Sequence, residues 1–225
     1  MSTARTHKED FNMSEGLKKR GGSPERIKTN CRPSDKATKP TEQKENNMYQ
    51  PLTEELREIL DKHREWLELM NKDPLAVLTE EEMGLRADLG AFTMLRDYDF
   101  SYVTLSYALA DGVDFSGCKF TKANLKGLHA PYAVFNDCLM VSANLREMYG
   151  KETSFVKANL THADLSHSFL EEADFEGADL TDARLNGTHM NGARTSHTCL
   201  KGADFRFFFS GRNNLVASQI MRMAQ

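Results

Sequence analysis

From Leu95 to Phe205 every fifth position is apolar or small, and the phase never slips. Two residues before each of these positions stands a second small or apolar residue, often Ala, and the positions between are mostly polar. A period of five matches neither the 3.6 of a helix nor the 2 of a strand. Read at a spacing of twenty, however, the apolar positions resolve into columns. Phe115, Phe135, Phe155 and Phe175 form one, and Leu105, Leu125, Leu145, Leu165 and Leu185 form another. The remaining two are Phe100, Phe120, Met140, Leu160, Leu180, Leu200 and Ala110, Ala130, Gly150, Leu170, Met190. Four five-residue units thus make one coil, each too small to bury its own apolar face alone, so the pattern predicts a solenoid of stacked coils. In the last column, Ala130 and Gly150 follow Leu128 and Met148, whereas Leu170 and Met190 follow Ser168 and Thr188. Volume lost at one inward position returns at the other, as a close-packed interior requires.

The units carry a recurrent sequence. Ala123-Asn124-Leu125, Ala143-Asn144-Leu145, Ala158-Asn159-Leu160, Ala163-Asp164-Leu165, Ala173-Asp174-Phe175, Ala178-Asp179-Leu180 and Ala203-Asp204-Phe205 repeat one theme. This resembles the A-(D/N)-(L/F)-x-x unit of the pentapeptide repeat proteins. The resemblance implies an all-β solenoid, a right-handed quadrilateral β-helix with the Leu/Phe ladder inside and α-helical caps at one or both ends. At roughly 4.8 Å per coil, the repeats give a rod about 28 Å long. Upstream, Ala87-Asp88-Leu89 reads as another unit but stands one residue out of step with Leu95. Gly90 is the expected place for the backbone to absorb the extra residue.

Both ends of a solenoid expose backbone and core and need covering. Residues 51–86 are expected to supply an N-terminal capping helix and linker. Leu56, Ile59, Leu60, His63, Trp66, Leu67 and Met70 recur at helical spacing, behind Thr53 as N-cap and Glu54 and Glu55 in the first turn. The β-helix is expected over 87–209, ending in Phe207-Phe208-Phe209, and 210–225 as a C-terminal helix with Leu215, Val216, Ile220 and Met223 on one face. That helix either lids the rod or pairs two molecules; the resemblance adds the head-to-head dimer of the quinolone-resistance branch. Residues 1–50 are polar, with 11 Lys or Arg against 7 Asp or Glu, and are expected to be a disordered tail because they cannot bury enough apolar surface to offset chain entropy. A basic arm for nucleic acid or membrane is the alternative reading of the tail. The sequence has no hydrophobic run long enough to span a bilayer, and the expected location is cytoplasmic.

Charge separates by region. The whole chain has net charge -4, so the basic tail leaves residues 51–225 at -8. Asp164, Glu171, Glu172, Asp174, Glu176, Asp179 and Asp182 follow one another without a Lys or Arg between them, which reads as one acidic flank. For the resistance branch the resemblance implies DNA mimicry at a type II topoisomerase. Duplex DNA carries a charge per roughly 1.7 Å, so a rod of this length would need about 16. Residues 93–207 hold 15 acids and 11 bases, far short of that, and the uninterrupted phase leaves no room for the projecting loops of many resistance-type members. The alternative is an ordinary solvated acidic face.

A second surface feature competes. The residue before each inward centre points outward and is mostly polar, but one column reads Leu109, His129, Tyr149, Phe169, His189. An apolar and aromatic stripe of this kind marks a partner surface, or else it is covered by residues 71–85. His129 and His189 lie three coils apart, and His162 and His167 lack a third ligand, so no metal site follows. Among Cys31, Cys118, Cys138 and Cys199 there is no C-x-x-C spacing; Cys118 and Cys138 read as small core residues. Phosphate loops, zinc spacings and nucleophile elbows are all missing from the sequence. The expectation is a non-catalytic, cofactor-free module that binds an unidentified protein through its outer faces, with no direct nucleic-acid binding by the rod. The alternatives are a DNA-mimic inhibitor or protector of a topoisomerase or other nucleic-acid enzyme, and a secreted bacterial effector with an N-terminal export tail.

Overall fold

A computed structural model describes residues 49–73 and 78–206. The expected N-terminal tail up to residue 48, the triple Phe at 207–209 and the expected C-terminal helix lie outside them. Within the described chain, parallel single-residue bridges link positions twenty apart without interruption from Met94–Asp114 to Arg184–Asp204. These bridges form four ladders, one per side of the rod. Face A carries Asp114, Val134, Ser154, Asp174 and Arg194; face B carries Asp99, Lys119, Leu139, Asn159, Asp179 and Cys199. Face C carries Thr104, Asn124, Asn144, Asp164, Arg184 and Asp204, and face D carries Leu109, His129, Tyr149, Phe169 and His189.

Why five residues make one side becomes plain from the backbone donors. In the unit around Phe115, the Phe115 N–H donates to Val134 O of the next coil, and the Gly117 N–H to Asn136 O. The Cys118 N–H closes the corner onto Phe115 O, and the Lys119 N–H reaches back to Tyr98 O of the preceding coil. Four of the five donors are therefore taken by backbone, and the fifth, on Ser116, is left over. The Asp114 carboxylate accepts it at 2.9 Å. The same bond runs from Thr161 N–H to Asn159 Oδ1 (3.1 Å), from Ser166 N–H to Asp164 Oδ1 (3.0 Å) and from Thr181 N–H to Asp179 Oδ1 (2.9 Å). The Asn or Asp of the repeat theme thus satisfies the one amide that stacking leaves unpaired. The third corner residue adopts the left-handed conformation, with φ between 55° and 63° at fifteen non-glycine positions. Each such corner costs on the order of 1 kcal/mol or more and holds because bonds on both sides over-determine it.

Inside, the columns close into dry ladders. Phe115, Phe135, Phe155 and Phe175 stack with centroids 5.0, 5.3 and 5.0 Å apart, and Phe120 meets Phe135 edge-on at 5.8 Å. All are buried, as are the Leu, Met and Ala columns. The compensation on face D is tight: a Cβ on Gly150 would lie 2.8 Å from Thr153 Oγ1, 2.9 Å from Leu170 Cδ2 and 3.1 Å from Met148 Cε. The buried hydroxyls of Thr153, Ser168, Thr188 and Thr198 each donate to the carbonyl of a ladder residue, so they are absorbed without penalty.

At the N-terminal end α1 (Glu54–Lys72) starts at Thr53, whose hydroxyl accepts from Leu56 N–H. Leu56 enters the core, with Leu52, Ile59 and Leu60 packed beside it. The short α2 (Glu80–Met83) is closed by a capping box between Thr79 and Glu82. Gln50 bridges Tyr98 on face B, and Asp88 bridges Leu109 on face D, so two sides of the first coil are covered by strand. The register there corrects the sequence expectation. Asp88 pairs twenty-one residues ahead, whereas Met94 pairs twenty ahead, so the slip is real. Gly90 does not absorb it: the corner closes normally by Phe92 N–H to Leu89 O, and Gly90 is held by Asp88 Oδ1. The slack lies after the corner, where Phe92 supplies the N–H and Thr93 the carbonyl that one residue supplies in every later unit.

Two measurements probe this account. Gly150→Ala is expected to lower stability by about 1–3 kcal/mol in urea denaturation, and the loss should shrink when Leu170→Val accompanies it. Asn159→Ala, which strands the Thr161 amide, is expected to cost about 1 kcal/mol in the same assay without altering the circular dichroism of the fold.

Candidate interaction face

Each of the stripe residues sits at the bridging position of face D, displayed outward by a backbone pinned on both sides. Tyr149 and Phe169 are 42% and 43% exposed. Their exposure persists with the described part of residues 71–85 in place. The rings pair along the axis, His129 on Tyr149 at 4.9 Å and Phe169 on His189 at 4.9 Å. His129 Nδ1 also lies 2.6 Å from Asp111 Oδ1, which fixes its ring over the corner. Flanking corners add Tyr132, 57% exposed, and Tyr107, whose ring lies under the Lys126 ammonium at 5.7 Å. Acidic side chains border the exposed pair: Glu147 and Glu152 level with Tyr149, Glu171 and Glu172 beside Phe169. Lys126 engages Glu147 at 3.5 Å and Lys151 engages Glu152 at 3.5 Å.

Face D departs from the repeat theme in a way that only the bond pattern discloses. From Leu109 to His189 none of its five bridging residues is Asn or Asp, so none can cap the amide of its own corner. On faces A, B and C that cap recurs. At one of the five corners the difficulty is removed outright, because Pro131 occupies the position of the uncapped donor and has no N–H. At Tyr149, Phe169 and His189 about 1 kcal/mol of corner stabilisation per coil is forgone in favour of a ring.

The acidic residues are arranged differently from the single flank that their run along the chain suggests. Asp174 stands on face A, Asp179 on face B and Asp164 on face C, with Glu171, Glu172, Glu176 and Asp182 at the intervening corners. The run winds round the girth of the rod. Arginines of the next coil then fall on it: Arg184 lies 3.4 Å from Asp164, and Arg194 lies 3.2 Å from both Asp174 and Glu176. Arg146 approaches Asp164 from the coil before, at 3.7 Å. A twenty-residue winding brings together charges that linear spacing keeps apart.

Cys118 and Cys138 are buried free thiols one coil apart on the inner side of face B. Cys118 donates to Leu95 O and Cys138 to Phe115 O. Burial pushes the Cys118 thiol up to about 12 and that of Cys138 well above the ordinary range, so neither supplies a thiolate. Among the described residues no cluster of His, Cys, Asp or Glu is arranged to hold a metal ion, and no helix is long and apolar enough to cross a membrane.

The model of the pentapeptide repeats matches in eight copies over residues 99–130, 132–166, 158–194 and 170–206. Solved structures similar to the chain include HetL, a pentapeptide repeat protein involved in heterocyst differentiation regulation from Nostoc sp. strain PCC 7120 (21% identity, 49% of this chain and 61% of HetL, TM-score 0.33). A pentapeptide repeat protein of the Arabidopsis thaliana thylakoid lumen is 23% identical over 56% of this chain and 73% of its own, with a TM-score of 0.34. QnrB1, a plasmid-mediated fluoroquinolone resistance protein, is 19% identical over 57% of this chain and 84% of its own in trypsin-treated form, with a TM-score of 0.25. The chain thus spans about three fifths of the length of HetL. No curated protein sequence matches it. Coil register, repeat theme and family match agree, and the chain belongs to the pentapeptide repeat family, built on its four-sided β-helix.

Proposed function

We propose that this chain is a non-catalytic protein-docking module whose partner lies along face D, over Tyr149 and Phe169. The observation that carries the reading is the loss of the Asn or Asp cap on five consecutive coils of one face. The cap is kept at Asp114 and Asp174 on face A, at Asp99, Asn159 and Asp179 on face B and at Asn124, Asn144, Asp164 and Asp204 on face C, and a run of coils on one side with none, at a cost in stability, marks a surface kept for something other than folding. What replaces the caps is a contiguous set of half-exposed rings, and aromatic side chains are favoured at the centres of protein interfaces. Glu152, Glu171 and Glu172 border the rings with only Lys151 among them. The matching partner is therefore an extended protein segment that places aliphatic or aromatic side chains on the rings and a Lys or Arg over Tyr149 or Phe169, where ring face and carboxylate act together.

Against this stands the reading as a DNA mimic. Its carboxylates wrap three faces of the rod rather than tracing a groove, and three of them are paired with arginine.

Site-specific photocrosslinking in cells separates the two. A benzoylphenylalanine at Phe169 or Tyr132 is expected to yield a discrete protein adduct, and the same group at Lys157, on the corner of faces A and B, to yield none. Tyr149→Ser should reduce the Phe169 adduct about tenfold, with little change in 0.5 M salt. Adducts from Lys157 alone, or adducts abolished by salt and by reversing Glu171, Glu172 and Asp174 while surviving Tyr149→Ser, would overturn the proposal.

A further inference from the structure

The N-terminal cap is fastened to the β-helix by one buried imidazole. His63, in the middle of α1, is fully buried, and both ring nitrogens are used. Nδ1 accepts from the Ala87 N–H at 3.1 Å, and Nε2 meets the Ser106 carbonyl at 3.0 Å. The partners dictate the tautomer. An amide can only donate and a carbonyl can only accept, so Nδ1 is bare and Nε2 carries the proton. In the repeat pattern the carbonyl at the position of Ser106 receives an N–H from the coil before, as Ser116 O does from Asp97. The amide at the position of Ala87 closes the corner before it, as Ala108 N–H does onto Leu105 O. At the first coil neither partner exists, and the His63 ring replaces both. One side chain stands in for the backbone of a missing coil.

The ring has no room for a second proton. Protonated at Nδ1 it would face the Ala87 N–H donor to donor. Among the described residues no carboxylate is bonded to the ring either. Along α1 it stacks on Trp66, centroids 5.6 Å apart. From the linker the Arg86 guanidinium lies 5.7 Å from the Trp66 ring centroid, with Asp88 and Asp111 offsetting the arginine rather than touching the imidazole. From the first coil come Ser106 and Tyr107, both uncharged. On α1 the nearby charges are paired with each other, Lys62 with Glu58 and Arg64 with Asp61.

We infer that His63 is an acid-released latch, whose protonation frees α1 from the end of the rod while the coils behind it stay wound. The inference stands independently of the docking face. Burial pushes the imidazole down from 6.5 to about 4; the Ser106 bond opposes that shift and Arg86 adds to it. The sign follows from linkage. The closed cap excludes a proton that the open one binds, so the latch is at full strength above about 6.5 and weakens as pH falls toward about 4. Across that window the closed-to-open ratio falls about tenfold per pH unit. Opening uncovers the ends of the inner columns where Leu56 packs.

Hydrogen exchange on the full chain tests this, with intrinsic rates corrected for pH. Between pH 6.5 and 4.5, amides of α1 are expected to lose protection about fortyfold, while those of residues 115–185 keep theirs. Trp66, the single tryptophan, should shift its emission to the red over the same range. His63→Gln, whose amide can both accept from Ala87 and donate to Ser106, should hold the cap closed throughout. The inference is overturned if α1 and the coils lose protection together, if α1 keeps protection to pH 4.5, or if His63→Gln opens with the same pH dependence as the wild type. Should the variant fail to close its cap at neutral pH, the wild-type His63 ring proton resonance decides the matter. A titration midpoint near 6.5 overturns the inference, and one displaced well below it supports the latch.

Discussion

The constraint on which this molecule rests is that a backbone turning a corner every five residues must still pair its amides. Stacking at a twenty-residue pitch satisfies four of the five N–H groups in each unit, two toward the coil ahead, one toward the coil behind and one across the corner. Only the amide after the inward Leu or Phe is stranded, and the side chain two positions earlier is the nearest group that can reach it. The Asn/Asp of the theme is thus dictated by hydrogen-bond accounting, and the Leu/Phe by the dry ladder that holds the corners in register. Neither works alone. The left-handed corner residues would be too costly without the ladder, and the ladder would splay without the corners.

A solenoid carries its unsolved problem to its ends, because the first coil has nothing behind it. Here the N-terminal end is closed piecewise. Gln50 lends a strand to face B, Ala87-Asp88-Leu89 lends one to face D, and α1 covers the apolar opening with Leu56. The geometry of an α-helix against a β-coil supplies no backbone partners across the junction, so a side chain must do so. Imidazole suits the task because one ring offers an acceptor and a donor pointing in opposite directions. It also titrates near neutrality when exposed, which is why the closure most economical in atoms is also the one sensitive to acid.

Much of the fold was legible in the sequence because packing acts on every coil and leaves a periodic trace. The ladders, the exchange of volume between Met148 and Gly150 or Ser168 and Leu170, and the burial of Cys118 and Cys138 all followed from spacing alone. Features that depend on a single bond or a single junction left no such trace. Gly90 looked like the place for an extra residue, yet the slack fell at Phe92 and Thr93, because the Asp88 side chain could hold Gly90 in an ordinary corner. The acidic run looked like a flank because linear distance was read as spatial distance; Arg184 and Arg194 sit on it from a coil away. The stripe on face D was visible as a column of rings, but its meaning was not. The missing caps become informative only when one knows that each of the other faces keeps some of its own. His63 was one apolar-face residue among seven at helical spacing, and nothing in the pattern distinguished it.

The latch and the docking face meet at one point, and the repeat architecture governs how far one can influence the other. Leu89 N–H donates to Leu109 O and Leu109 N–H to Ala87 O, so the strand that His63 anchors is also the rung beneath the first residue of face D. Releasing Ala87 loosens that rung. In a stack where each coil contacts only its neighbours, disturbance fades inward, and Tyr149 and Phe169 lie two and three coils further along, each with its own pair of bridges. A partner confined to those two rings is therefore insulated from the state of the cap. A partner long enough to rest on Leu109 is coupled to it, and by reciprocity would hold the latch closed as firmly as the closed latch holds the partner. The length of the bound segment, measured in coils, sets whether acid is felt at the docking face at all.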